Sequence, residues 1–160
     1  MTSQRQATLY LPLTDSTAIE SVRSRFNRVQ FDLIRAHVTL CREDEVSDWD
    51  KLASRLSNLG SIKVTLTFGM PVRDNNLVYL PATGSTESYD ALRRSLLSTR
   101  NSLPRKYHPH ITIVHPRNGI CSDSVFDEIS SHLKPFTTTF RSVTLIEQVD
   151  GETWHDLIFG

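Results

Sequence analysis

His37-Val38-Thr39-Leu40 and His110-Ile111-Thr112-Ile113 are two copies of one pattern: histidine, aliphatic, threonine, aliphatic. In a strand, side chains two residues apart share a face. His37 and Thr39 therefore point together, as do His110 and Thr112. Val38, Leu40, Ile111 and Ile113 point the other way and anchor each strand in a core. Each strand thus presents an imidazole and a hydroxyl about 7 Å apart along the backbone.

The surroundings of the two tetrapeptides repeat as well. Residues 7–13 read as a strand ending at a proline turn, and residues 16–26 as a helix with a serine start and apolar Ile19, Val22 and Phe26. The first H-x-T strand (35–42) comes next. Residues 49–60 form a helix with Leu52, Leu56 and Leu59 on one face and Gly60 as its stop. Residues 62–68 alternate as a half-buried strand, and 75–82 form another after a turn at 73–76. A second round follows: a helix over 88–100, the second H-x-T strand between two prolines (108–116), and a helix over 122–133 capped by Ser122 or Ser124. Strands over 136–149 and 153–159 close the chain around Asp150-Gly151, a hairpin signal. Such correspondence indicates an internal duplication. The expected fold is α+β: two pseudo-symmetric lobes of antiparallel sheet with outer helices, their H-x-T strands facing a central cleft. The 160 residues form a single domain with repeat halves at about 1–81 and 82–160.

Composition narrows the function. A hydrophobic share of 38% and a charged share of 22% suit a globular chain. No apolar run reaches the roughly 20 residues of a membrane span, and the N-terminus lacks the apolar segment of a signal peptide. Cys41 and Cys121 stand far apart in no metal or redox spacing, as expected of reduced thiols in a cytoplasmic protein. Eighteen basic residues balance eighteen acidic ones, which argues against tracking a long duplex and suits a small phosphorylated ligand. The protein is expected to act as a monomer, away from membranes.

Two imidazoles and two hydroxyls in one cleft match the needs of phosphodiester cleavage. A neutral histidine can take a proton from water or a 2′-hydroxyl while a protonated one delivers a proton to the leaving oxygen. Imidazole populates both forms near neutrality. Threonine hydroxyls can donate to the non-bridging phosphoryl oxygens, where transition-state charge gathers. The scheme requires no metal.

The paired motifs, about seventy residues apart in matching α/β halves, resemble the 2H phosphoesterase superfamily. That group includes 2′-5′ RNA ligase-like proteins, cyclic nucleotide phosphodiesterases, and RNA-processing and 2′-5′ oligonucleotide-degrading enzymes. The likeness spans nearly the whole chain, and Tyr107-His108-Pro109-His110-Ile111-Thr112-Ile113 carries it most specifically. It implies a site of His37, Thr39, His110 and Thr112, no cofactor, and a small nucleotide or RNA terminus as substrate.

Other residues are weighed against bland roles. Tyr107 and Tyr10 could stack on a base or bond the phosphate, or pack at the rim. Arg35 shares the parity of His37 and could offer a forked donor to phosphate, as could Arg117, although most surface arginines are merely solvated. His108 could share the His110 face if the strand begins early, against which Pro109 argues. His115 has the wrong parity and is expected to point away. His132 and His155 read as surface or packing residues. Two rivals stand beside the phosphodiesterase. A metal hydrolase could use His108, His110 and His115, but this leaves His37 and the threonines unexplained. A binding module could keep the cleft without turnover.

Overall fold

The computed structural model describes residues 1–157, so the end of the strand expected over 153–159 lies outside the described residues. Within them the order is β1 (Ser3–Tyr10), α1 (Leu13–Phe26), α2 (Arg28–Leu33), β2 (His37–Cys41), a 3-10 turn (Glu43–Glu45), α3 (Trp49–Leu59), β3 (Val64–Phe68), β4 (Val72–Asp74), β5 (Leu77–Thr83), α4 (Glu87–Leu97), β6 (His110–Val114), α5 (Asp123–His132), β7 (Phe136–Phe140), β8 (Thr144–Val149) and β9 (His155–Asp156). The fold is α+β, as expected. Its strands pair antiparallel in the order β7-β3-β5-β6-β2-β1-β8-β9, with β4 on β5.

The two H-x-T strands are neighbours at the centre. β2 and β6 meet through the pair Val38↔Ile111 and join a β2-β1-β8-β9 lobe to a β6-β5-β3-β7 lobe. Val38, Leu40, Ile111 and Ile113 are 0% exposed, so the aliphatic half of each motif lies in the core. The lobes exchange strands. The β4–β5 ribbon pairs with β6, whereas β8 pairs with β1. The point between residues 81 and 82 therefore falls inside β5 rather than between two separable units.

Helix ends follow local chemistry. Asp48 accepts the Lys51 N–H at the start of α3 (3.1 Å), and Gly60 ends it at φ 70°. Ser122, one of the two expected caps, accepts the Val125 N–H at the start of α5 (3.2 Å). The two ribbon turns use left-handed Asn75 at φ 53° and Asp150 at φ 53°.

Four elements differ from the sequence reading. β1 starts at Ser3 because its polar first half pairs with β8, from Ser3↔Val149 to Thr8↔Thr144, an attachment made by backbone groups. α1 starts at Leu13, before Ser16, because Pro12 (φ −55°) ends the strand and its carbonyl accepts the Asp15 N–H (2.9 Å). α2 buries no residue, so no apolar stripe announced it. The strand read over 136–149 is two strands, broken at 141–143. β7 lies on β3 and β8 on β1, in different lobes.

Candidate active site

Register brings the motif residues together. With Val38 opposite Ile111 in an antiparallel pair, His37 stands across from Thr112 and Thr39 across from His110. The imidazoles occupy one diagonal of this square and the hydroxyls the other. Diagonal Cβ atoms in such a pair lie about 7–8 Å apart, room for one phosphoryl group between two imidazole tips. All four side chains are half-buried and line a cleft of about 600 Å³.

Both imidazoles are set in the same way. His37 Nδ1–H donates to the Arg35 carbonyl (2.7 Å) and His110 Nδ1–H to the His108 carbonyl (3.0 Å). A carbonyl only accepts, so each Nδ1 carries a proton and each Nε2 is left as the nitrogen that can exchange one. A tyrosine from the adjoining strand braces each ring edge-on: Tyr10 on His37 (6.3 Å) and Tyr79 on His110 (5.7 Å). Tyr10 lies opposite His37 across β1–β2, and Tyr79 opposite Thr112 across β5–β6.

The helix between paired strands secures the approach to each histidine. From α1, the 2%-exposed Arg23 pairs with Glu20 and donates to the Ile34 carbonyl (2.8 Å), while Glu20 accepts the Ala36 N–H (3.2 Å). From α4, the equally buried Arg93 grips both Glu45 oxygens (2.6 and 3.0 Å) and donates to the carbonyls of Leu40 (2.6 Å) and Arg105 (3.0 Å). Tyr89 of the same helix donates to the Thr39 carbonyl (2.8 Å). Arg93 thereby ties the end of β2 to the loop carrying Tyr107, whose ring lies 5.4 Å from its guanidinium.

Electrostatics sets the protonation of His37. Enclosure at the cleft floor lowers the His37 pKa to about 4, against the Arg35 carbonyl bond, which raises it; Arg23, His110 and His115 add to the lowering. His37 is therefore neutral near pH 7. The His115 pKa is also lowered, by burial and then by Arg117. Burial pushes the Cys41 thiol up to about 12, so it does not act as a nucleophile near neutrality.

The remaining candidates divide. Tyr107 lines the cleft, 6.0 Å from the His110 ring. Arg35 and Tyr10 do not line it. The Arg35 guanidinium lies over the Tyr10 ring (4.7 Å) in a neighbouring hollow, which shares only Ile34 and Trp154 with the cleft. What Arg35 supplies to the site is its backbone carbonyl. Arg117 lines the cleft instead, with Arg42.

His115 corrects the parity argument. β6 ends at Val114, the chain turns, and His115 joins the cleft wall, its N–H held by buried Asn27 (2.8 Å). Its Nδ1 accepts the Arg117 N–H (3.1 Å), and its Nε2 faces the Arg117 guanidinium (3.5 Å). His108 turns to the Ala82 carbonyl (3.0 Å), and His132 and His155 are exposed. Among the described residues no three His, Cys, Asp or Glu side chains gather as a metal site. No described helix is long and apolar enough to cross a membrane. Tyr79, Arg23, Glu20 and Arg93 were not singled out from sequence. Tyr79 required knowing that β5 pairs with β6, and the helix residues only that a buried charge needs a partner.

Comparison with known proteins identifies the fold and the family. The fold matches E. coli LigT complexed with phosphate at a TM-score of 0.64 and 17% identity, over 98% of this chain and 94% of that one. LigT complexed with 3'-AMP matches at 0.63 and 18%, over 98% and 95%. A crystal structure described as a phosphoesterase matches at 0.55 and 15%, over 98% and 96%. No curated protein sequence matches the chain. The family model of the 2'-5' RNA ligase superfamily matches residues 11–152, a span that takes in both H-x-T strands, and the chain belongs to that superfamily.

Proposed function

We propose that the protein is a metal-independent phosphodiesterase that opens a 2′,3′-cyclic nucleotide phosphate, or cleaves a 2′-5′ phosphodiester, by two-histidine acid–base catalysis. The observation that carries this is the central square of His37, Thr112, Thr39 and His110, with both Nδ1 atoms bonded to backbone carbonyls. The low pKa of His37 favours it as the general base. In hydrolysis, water attacks phosphorus and passes a proton to His37 Nε2. The bond to the ribose oxygen breaks, and His110 Nε2–H protonates that oxygen. Exchange with solvent then restores both rings. Thr39 and Thr112 donate to the non-bridging oxygens. Tyr107 at the cleft wall is the proposed contact for the nucleoside, and Arg117 and Arg42, the latter paired with Asp44, are the proposed positive charge for phosphate.

A small nucleotide or RNA terminus fits the balanced net charge and the cleft size better than a long duplex. 3'-AMP, one of the ligands seen with E. coli LigT, is of this class. Two buried, unpaired cysteines support a cytoplasmic setting, and the protein is proposed to work as a monomer. The test is a panel of 2′,3′-cyclic nucleotides and 2′-5′ dinucleotides with excess chelator. Wild type should turn over at least one, and His37→Ala and His110→Ala should each lower kcat by about 10² or more. Binding without turnover, or an alanine variant at near-wild-type rate, would overturn the reading.

A further inference from the structure

The peptide joining Arg35 to Ala36 does two things at once. Its carbonyl accepts His37 Nδ1–H (2.7 Å), and its own N–H donates to Glu20 Oε2 (3.2 Å). Carbonyl and N–H belong to one conjugated amide, so charge drawn to one end is felt at the other. A carboxylate accepting the N–H makes the carbonyl oxygen more negative and a stronger partner for the imidazole, because successive hydrogen bonds polarise one another.

From this arrangement we propose that Glu20 is a positioning residue for His37, acting through the 35–36 peptide as a carboxylate–peptide–histidine relay that fixes the Nδ1–H tautomer and strengthens Nε2 as a proton acceptor. The role deepens the phosphodiesterase reading, which supplies the reaction in which His37 is the base. Arg23 holds the other Glu20 oxygen and the Ile34 carbonyl, so the carboxylate is held by the guanidinium at one oxygen and by the Ala36 N–H at the other.

The second half lacks this connection. The carbonyl that accepts His110 Nδ1–H precedes Pro109, whose nitrogen has no hydrogen to donate. A duplicated histidine pair is thus wired differently at equivalent peptides, giving one imidazole an anionic support, set against the lowering by its enclosure, that its partner does not receive. Five groups besides the relay bear on His37: Arg23 from α1, Tyr10 from β1, the Arg35 guanidinium over Tyr10, His110 from β6, and His115 beyond it. Glu20 is the anionic group bonded to the His37-facing peptide, and in the proposed relay it opposes these cations.

Nuclear magnetic resonance of histidine-labelled protein tests the relay without substrate. In wild type, neutral His37 should be the Nδ1–H tautomer, and the Ala36 amide proton should lie downfield and move as His37 takes up its proton. Glu20→Gln keeps an acceptor but removes the charge. It should move the Ala36 amide and His37 Nδ1 protons upfield and lower the His37 midpoint by on the order of one pH unit, leaving that of His110 in place. The acid limb of the pH–rate curve should move by the same amount. A folded Glu20→Gln protein with unchanged His37 signals would overturn the proposal. If that variant does not fold, the wild-type Ala36 signal decides: indifference to His37 protonation overturns the relay. Lack of turnover on every phosphodiester would instead remove the enzyme reading while these signals still reported on the relay.

Discussion

Acid should destabilise this protein through His37, and replacing that residue with asparagine should remove the effect. Its folded pKa of about 4 lies below the ordinary 6.5. Between these values the unfolded chain binds more protons than the folded one, so stability rises with pH. The neutral-pH stability is complete above about 6.5 and is lost as pH falls through the folded value. The two values imply a loss of about 2 kcal/mol between pH 7.5 and 5, and about 3 kcal/mol by pH 4. Water in the open cleft screens part of this, so about 1 kcal/mol at pH 5 is the working figure. Urea unfolding at pH 7.5 and pH 5 measures the difference directly. Wild type should lose about 1 kcal/mol more than His37→Asn over that interval. Equal losses would show that His37 is not held neutral by its surroundings, and the assignment of His37 as base would fall with it.

Further expectations concern the supports of the site. Arg93→Met leaves the 8%-exposed Glu45 carboxylate without its main partner and should cost about 3–5 kcal/mol in urea unfolding. Thr39→Val and Thr112→Val should each lower kcat/KM on the substrate found in the panel by about 10- to 100-fold with little change in Tm, since each removes one hydroxyl donor to a charged phosphoryl group. Gly119→Ala should cost about 1–3 kcal/mol in thermal unfolding, because a Cβ there would meet Val114 Cγ1 at 2.7 Å and the Asn27 amide at 3.0 Å.

The legible parts of this protein were those in which one residue carries its own signal. H-x-T on a strand has parity, and parity placed four aliphatic side chains in the core and four polar ones in the cleft. Asp150-Gly151 and Asn75 marked turns because few residues tolerate positive φ. Pairing partners left no such trace. Nothing in 136–149 says that its two pieces belong to different lobes, because either would alternate acceptably beside several neighbours. Parity also ceased to hold at the strand end, where His115 reached the cleft through a turn and the Asn27 side chain. Arg35 failed for a related reason: its side chain found the Tyr10 ring beside the cleft, while its backbone reached the histidine.

In the proposed reaction two similar halves perform two different proton transfers, and the strand exchange bears on how they can. A symmetric cleft would hold two equivalent imidazoles, and acid and base would be interchangeable. Here the motifs and the Nδ1 bonds are nearly two-fold related, so the imidazole tips face a shared substrate space. The layer behind them is not. One ring stands before a peptide bonded to the part-buried Glu20 carboxylate and its buried Arg23 partner, the other before a prolyl peptide with no N–H to donate, while Arg93–Glu45 grips the end of β2 and the Tyr107 loop. In the proposed reaction, the repeated motifs supply the matched geometry that phosphoryl transfer needs, and divergence one layer behind them distinguishes the roles. Exchanging those layers is then a sharper perturbation than deleting either histidine. Ala36→Pro removes the relay N–H while leaving the Arg35 carbonyl, and should weaken His37 as a base with His110 in place. If Ala36→Pro folds and keeps its wild-type pH–rate curve, the asymmetry lies elsewhere in the cleft.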